Sequence, residues 1–135
     1  MADTVSTKAL LTTKKQYVVV LHGLSDGTGE VDAIKVDKSA LTAQDGAEPS
    51  ELTVDWIQYA IQGYTALILE WDLGTDELIA SLPSGSGYLE FAEAVSGSCG
   101  AGPVGTGGTG DIVLTTAGAK TGARYTIILG VSLED

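Results

Sequence analysis

Apolar and polar positions alternate with a period of two along most of this chain, and glycine or proline clusters interrupt the alternation at short intervals. A period of two puts successive side chains on opposite faces of a strand, whereas a helical face repeats about every 3.6 residues. The alternation predicts strands over Lys15–Gly23 (KQYVVVLHG), Glu30–Val36 (EVDAIKV), Leu52–Gln62 (LTVDWIQYAIQ), Tyr64–Asp72 (YTALILEWD), Tyr88–Phe91, Asp111–Thr116 and Arg124–Leu133. Asp76–Leu82 fits either a strand or a short helical stretch, because its spacing matches both periods.

The interruptions have local causes. Ser25-Asp26-Gly27-Thr28-Gly29 is a turn cluster in which Asp and Gly tolerate positive φ. Gly63 is expected to turn the chain between two strands, and Pro83 with Gly85-Ser86-Gly87 is expected to end the segment before Tyr88. Thr42–Glu51 reads as a polar loop, and residues 96–110 (SGSCGAGPVGTGGTG) as a long glycine-rich one. In Glu30–Val36, the period sets Val31, Ala33 and Lys35 against Asp32, Ile34 and Val36; in Leu52–Gln62 it sets Leu52, Val54 and Trp56 against Asp55, Ile57, Tyr59 and Ile61. Seven or eight short antiparallel strands with turn signals between them describe an all-β chain, a single β-sandwich of jelly-roll or Ig-like type over residues 15–135. Residues 1–14 precede it as an extended N-terminal arm.

A chain of 135 residues, 44% hydrophobic and 19% charged, is long and apolar enough to fold as one domain without a disulfide or a metal. No apolar run approaches the roughly 20 residues of a membrane-spanning helix, so no membrane partner is expected. The N-terminus shows no signal-peptide pattern, and the single cysteine, Cys99, excludes an internal disulfide. Charge is distributed unevenly. Residues 1–40 carry five lysines against five acids, and residues 41–135 carry Lys120 and Arg124 against thirteen acids, which accounts for the net charge of −11. Nucleic acid demands a basic face, so it is not expected as a partner.

Candidate chemistry is sparse. His22 is the only histidine and has no base or nucleophile beside it in sequence, and Cys99 has no neighbouring cation to lower its pKa. One histidine and one cysteine cannot form a zinc site. Two acidic turns, Asp26/Glu30/Asp32 and Asp72/Asp76/Glu77, are possible calcium ligands but do not follow the EF-hand spacing. Glu70 and Asp72 flank Trp71 and would share the face opposite it. Gly100-Ala101-Gly102-Pro103-Val104-Gly105 matches G-x-G-x-x-G, but a glycine run follows it where a nucleotide fold has a helix. The expectation is therefore no enzyme, no catalytic residue, no metal and no cofactor. Trp56, Trp71, Tyr59, Tyr64 and Tyr88 leave open an aromatic platform for sugar rings.

Four stretches together resemble a family of small virion structural proteins of tailed bacteriophages: Tyr17–Glu30 (YVVVLHGLSDGTGE), Ala33–Ser39 (AIKVDKS), the Trp56…Gly63-Tyr64…Leu69-Glu70-Trp71-Asp72 stretch, and Gly110–Leu129 (GDIVLTTAGAKTGARYTIIL). The likeness runs from about residue 4 to residue 131, and its most specific parts are the Ser-Asp-Gly-Thr-Gly-Glu turn and the closing Gly-Asp-Ile segment. It implies a capsid decoration (cement) protein on the outside of a DNA-filled head, made in the host cytoplasm. Such a protein binds the major capsid protein as a homo-oligomer, often a trimer. Contacts are then expected from the arm and the glycine-rich loop, at Lys8, Leu10, Leu11, Lys14, Cys99 and Val104. A tail or head–tail connector protein, and a carbohydrate- or calcium-binding module, are the alternatives.

Overall fold

The longest element is β4 (Glu51–Trp71), a continuous strand of 21 residues, and the other strands are arranged along its two sides. The structure is a computed structural model that describes residues 4–13, 15–42, 46–90 and 107–134. Within them lie β1 (Thr4–Thr12), β2 (Gln16–Asp26), β3 (Ala33–Val36), a 3₁₀ turn (Lys38–Ala40), β4, β5 (Glu77–Glu90), β6 (Ile112–Ala117) and β7 (Thr121–Glu134). The chain is all-β, and every strand pairing is antiparallel.

β5 follows one side of β4, while β7 and β6 lie end to end along the other, at Glu51–Gln62 and Ala66–Trp71 respectively. β2 continues outward from β7 and β3 from β6, and β1 pairs with β2 at the margin. The result is one sheet with a corner across it. One arm contains β1, β2, β7, the first half of β4 and the end of β5. The other contains β3, β6, the second half of β4 and the start of β5. Inward side chains of both arms, among them Leu21, Ile57 and Leu129 from the first and Leu69, Trp71 and Leu114 from the second, form a single buried cluster. That is a sandwich made by folding one sheet over its own core.

The corner is built with glycine. Gly63 (φ 87°) and Gly118 (φ 69°) hold left-handed backbone where β4 and the β6–β7 row both bend. A Cβ on Gly63 would lie 2.8 Å from that of Ala123, and one on Gly118 3.0 Å from that of Thr65. Each bend thus packs a glycine backbone against a neighbouring side chain, Ala123 or Thr65, and leaves no room for a Cβ. The turn expected at Gly63 is therefore a bend within one strand. Its neighbours fill both sides of the chain before and after it, so the pairing continues and only its direction changes.

Pro83 and Gly85–Gly87 likewise do not end a strand: β5 runs through them, and Glu77–Leu82 is extended, not helical. β5 pairs only with β4 among the described residues, so a proline that turns its missing N–H outward interrupts no ladder bond. Register shifts correct two of the expected faces. An extra residue between Val54 and Trp56 lets Leu52, Val54, Ile57 and Ile61 all face the core, leaving Trp56 on the outside. A shift between Ile34 and Val36 buries the consecutive residues Lys35 and Val36 and leaves Ile34 exposed. A third, between Ala9 and Leu11, falls in β1, the expected arm, which is hydrogen-bonded to β2 over Thr4–Thr12 and pairs with no other strand among the described residues.

Candidate functional site

Alternation fixes what each arm shows to the outside. Val19 and Leu21 are fully buried, so Val18, Val20, His22 and Leu24 of β2 point outward. Cross-strand pairing extends this face in rows: Lys8–Val20–Ile128–Gln58–Tyr88, Ser6–His22–Thr126–Ala60–Ser86, and Leu24–Arg124–Gln62. Trp56 lies across Gly130, and its ring stacks on Tyr88 with centroids 6.2 Å apart and planes at 30°. Lys8, His22 and Arg124 are exposed here, with the His22 Nδ1 3.4 Å from Thr126 Oγ1. Beside Arg124 a shallow depression of about 400 Å³ is floored by Ala60, Gln62 and Ser86. The three rows from Lys8 to Gln62 hold no carboxylate, while the adjoining row Val18–Gly130–Trp56 ends in the exposed Glu90.

The outer face of the second arm has the opposite character. Ile34, Val113, Glu70 and Leu78 form a row across four strands, with Ile34 and Leu78 each 59% exposed. Asp32, at the entry to β3, and Asp76, at the entry to β5, converge on Glu70, so that a carboxylate oxygen of each lies within 4.8 Å of the others. Asp32 is fixed by Thr115: its N–H donates to Thr115 Oγ1 at 3.0 Å, and the hydroxyl lies 3.3 Å from Asp32 Oδ1. Burial, followed by the charges of Asp76 and Asp32, pushes the Glu70 carboxyl above its ordinary range. No lysine or arginine among the described residues pairs with any of the three.

Glu30 belongs to the interior instead. Its carboxylate accepts from Lys35 Nζ at 2.6 Å and from the Tyr125 hydroxyl at 2.6 Å. The Lys35 and Glu30 side chains are only 4% and 8% exposed. Thr116 holds the Glu30 backbone on both sides: Glu30 N–H donates to the threonine hydroxyl at 2.8 Å, and Thr116 N–H donates to Glu30 O at 2.9 Å. Gly23 lies directly beneath the Tyr125 ring. A lysine that would ordinarily be exposed thus enters the core with its charge answered by Glu30.

The two acidic turns read from the sequence are dispersed by this arrangement. Asp26 Oδ1 accepts from Thr28 N–H at 3.0 Å, and Asp72 Oδ2 accepts from the Thr109 hydroxyl at 2.8 Å. Only Asp32 and Asp76 meet, and their third partner is Glu70. Of the aromatic set, Trp71 and Tyr64 are core residues and Tyr59 packs half-buried against the core, which leaves Trp56 and Tyr88 on the surface. Of the expected contact residues, Lys8, Leu10 and Leu11 are exposed on β1, while Lys14, Cys99 and Val104 lie outside the described residues, as does the Gly100–Gly105 motif.

Comparison of the chain with family models, curated proteins and solved structures returns no match.

The joining of Asp32, Glu70 and Asp76 was not visible in sequence, because strand order was needed to bring residues 32, 70 and 76 to one place. The burial of Lys35 had a partial signal: it alternates in phase with Ala33 in a strand that ends in Val36. Its partner, five residues earlier, does not follow from a strand period.

Proposed function

We propose that the chain is a structural component of a bacteriophage particle, a decoration protein seated on the outer surface of the capsid. The resemblance of residues 4–131 to tailed-phage virion proteins supports the particle. The observation that carries an assembly role is β1. Among the described residues it pairs on one side only, and Val5, Leu10 and Leu11 are 44%, 53% and 44% exposed along it. An open edge offers a row of backbone donors and acceptors to a strand of the major capsid protein, and the apolar side chains add area to that pairing. The bulge at Leu10 and the charge on Lys8 restrict which strand can add, which protects such an edge from indiscriminate pairing. Many weak contacts on one shell act together, so each can be modest.

The test is binding of the purified chain to expanded empty heads, followed by a cryo-EM map of the loaded particle. Density over the shell with β1 at the contact is the expected result. Protein that stays in solution, or density on the tail, would remove the decoration role; the latter makes the chain a tail or connector part. A second reading, a sugar-binding module, draws on the stack of half-buried Trp56 on exposed Tyr88, since aromatic faces suit pyranose rings. A glycan array without hits would eliminate it.

A further inference from the structure

The two outer faces are unlike each other and lie on opposite sides of one core. In a chain of net charge −11, one face gathers Lys8, His22 and Arg124 around the outward residues Val20, Leu24 and Ile128. The other gathers Asp32, Glu70 and Asp76 between the exposed side chains of Ile34 and Leu78. Three carboxylates at this spacing repel one another; Thr115 bonds Asp32, but no lysine or arginine among the described residues pairs with any of the three. The first face carries the cations Lys8 and Arg124, neither in an ion pair among the described residues, with Glu90 at its margin. We propose that copies of this chain associate front to back, the Lys8–His22–Arg124 face of one seated on the Asp32–Glu70–Asp76 face of the next.

The contact joins two different patches, so it is heterologous and must either close into a ring or continue as a stack. Its size predicts its strength. Five strands spaced about 4.8 Å apart, crossed by eight residues rising about 3.3 Å each, give a face of roughly 19 by 23 Å. That is below the roughly 800 Å² per partner of a stable complex. Association is therefore weak, steered by charge and sensitive to salt, and it gains from any surface that concentrates the copies. The inference does not depend on the capsid reading: the two faces fit in solution whatever β1 docks on.

Sedimentation velocity of the full chain tests it at two ionic strengths, about 0.01 M and about 1 M, where the Debye length is about 30 Å and 3 Å. The expected result is a concentration-dependent rise in average mass above the monomer at low salt, and monomer at high salt. Arg124→Glu and Glu70→Lys should each leave monomer at low salt while keeping the wild-type circular dichroism. Mixing the two variants in equal amounts should recover association, because each then supplies the charge the other lacks. Monomer under both conditions, or association unchanged by either reversal, overturns the proposal. So does association abolished by one reversal and untouched by the other. Association that appears only with added calcium, and disappears with chelator, assigns the carboxylates to a bridging ion and also overturns it.

Discussion

Replacing Lys35 by methionine isolates the energetics of the buried pair. Methionine preserves most of the aliphatic volume, so the main change is loss of the ammonium 2.6 Å from Glu30 Oε1. Glu30 remains 8% exposed, with Tyr125 as its remaining side-chain donor. Removing one member of a buried pair costs about 3–5 kcal/mol, chiefly because the other charge stays desolvated. An unfolding entropy of about 2.1 cal/mol/K per residue over 135 residues gives roughly 0.28 kcal/mol/K, so Lys35→Met should lower Tm by about 11–18 °C. The double variant Lys35→Met/Glu30→Gln removes both charges and should regain most of that loss, since an amide can still accept from the Tyr125 hydroxyl. Urea and thermal unfolding of the wild type, both single variants and the double form a complete cycle. A Lys35→Met protein within about 1 kcal/mol of wild type would show that the pair is solvated and would refute the reasoning. A double variant no more stable than the single would show that packing, not charge, dominates the site.

Three other perturbations probe separate features. Gly63→Ala places a methyl group against Ala123 at positive φ, and should cost more than about 1 kcal/mol in chemical unfolding, whereas Gly46→Ala, also at positive φ but with open space around it, should cost less. Gly130→Ala drives a methyl into the Trp56 indole; a loss of roughly 1–3 kcal/mol is expected, with a changed near-ultraviolet spectrum from the displaced Trp56–Tyr88 stack and an unchanged far-ultraviolet one. For Glu70 the folded-state pKa is raised, so the folded chain holds its proton more tightly than the unfolded chain. Its ionisation therefore destabilises the fold as pH rises through that raised value, and the penalty is absent below the ordinary carboxylate range. Glu70→Gln should be more stable than wild type at pH 7 in low salt, with the gap narrowing toward acid pH; an equal gap at pH 7 and pH 3 would contradict this origin.

The strand content was legible because side chains on a strand declare their faces at a fixed period. Val19/Leu21 and Tyr125/Ile127/Leu129/Val131 do so without interruption, and both runs are core. What failed was punctuation. Gly63 and Pro83 are turn signals in isolation, but their conformations are equally served by a bend in a strand whose neighbours continue past it. Trp56 was misplaced because one bulged residue reverses the phase of everything after it, and a bulge leaves no mark on a hydropathy pattern. The candidate surfaces were less legible still. Lys8 was available from the sequence, but its company with His22 depends on β1 pairing with β2, and with Arg124 on β7 lying beside β2.

That same neighbour relation governs how the chain can reach its native state. β7 is the shared partner of β2 and β4, so both strands are without it until Thr121–Glu134 is available. Pairings of such long separation are slow to form, because the entropy of closing the intervening chain is lost before the contacts compensate. During synthesis, the apolar inner faces of β2 and β4 must wait with open edges, the condition in which strands of neighbouring nascent chains find each other. A protein required in many copies at once would then be limited by its folding yield before it was limited by its stability.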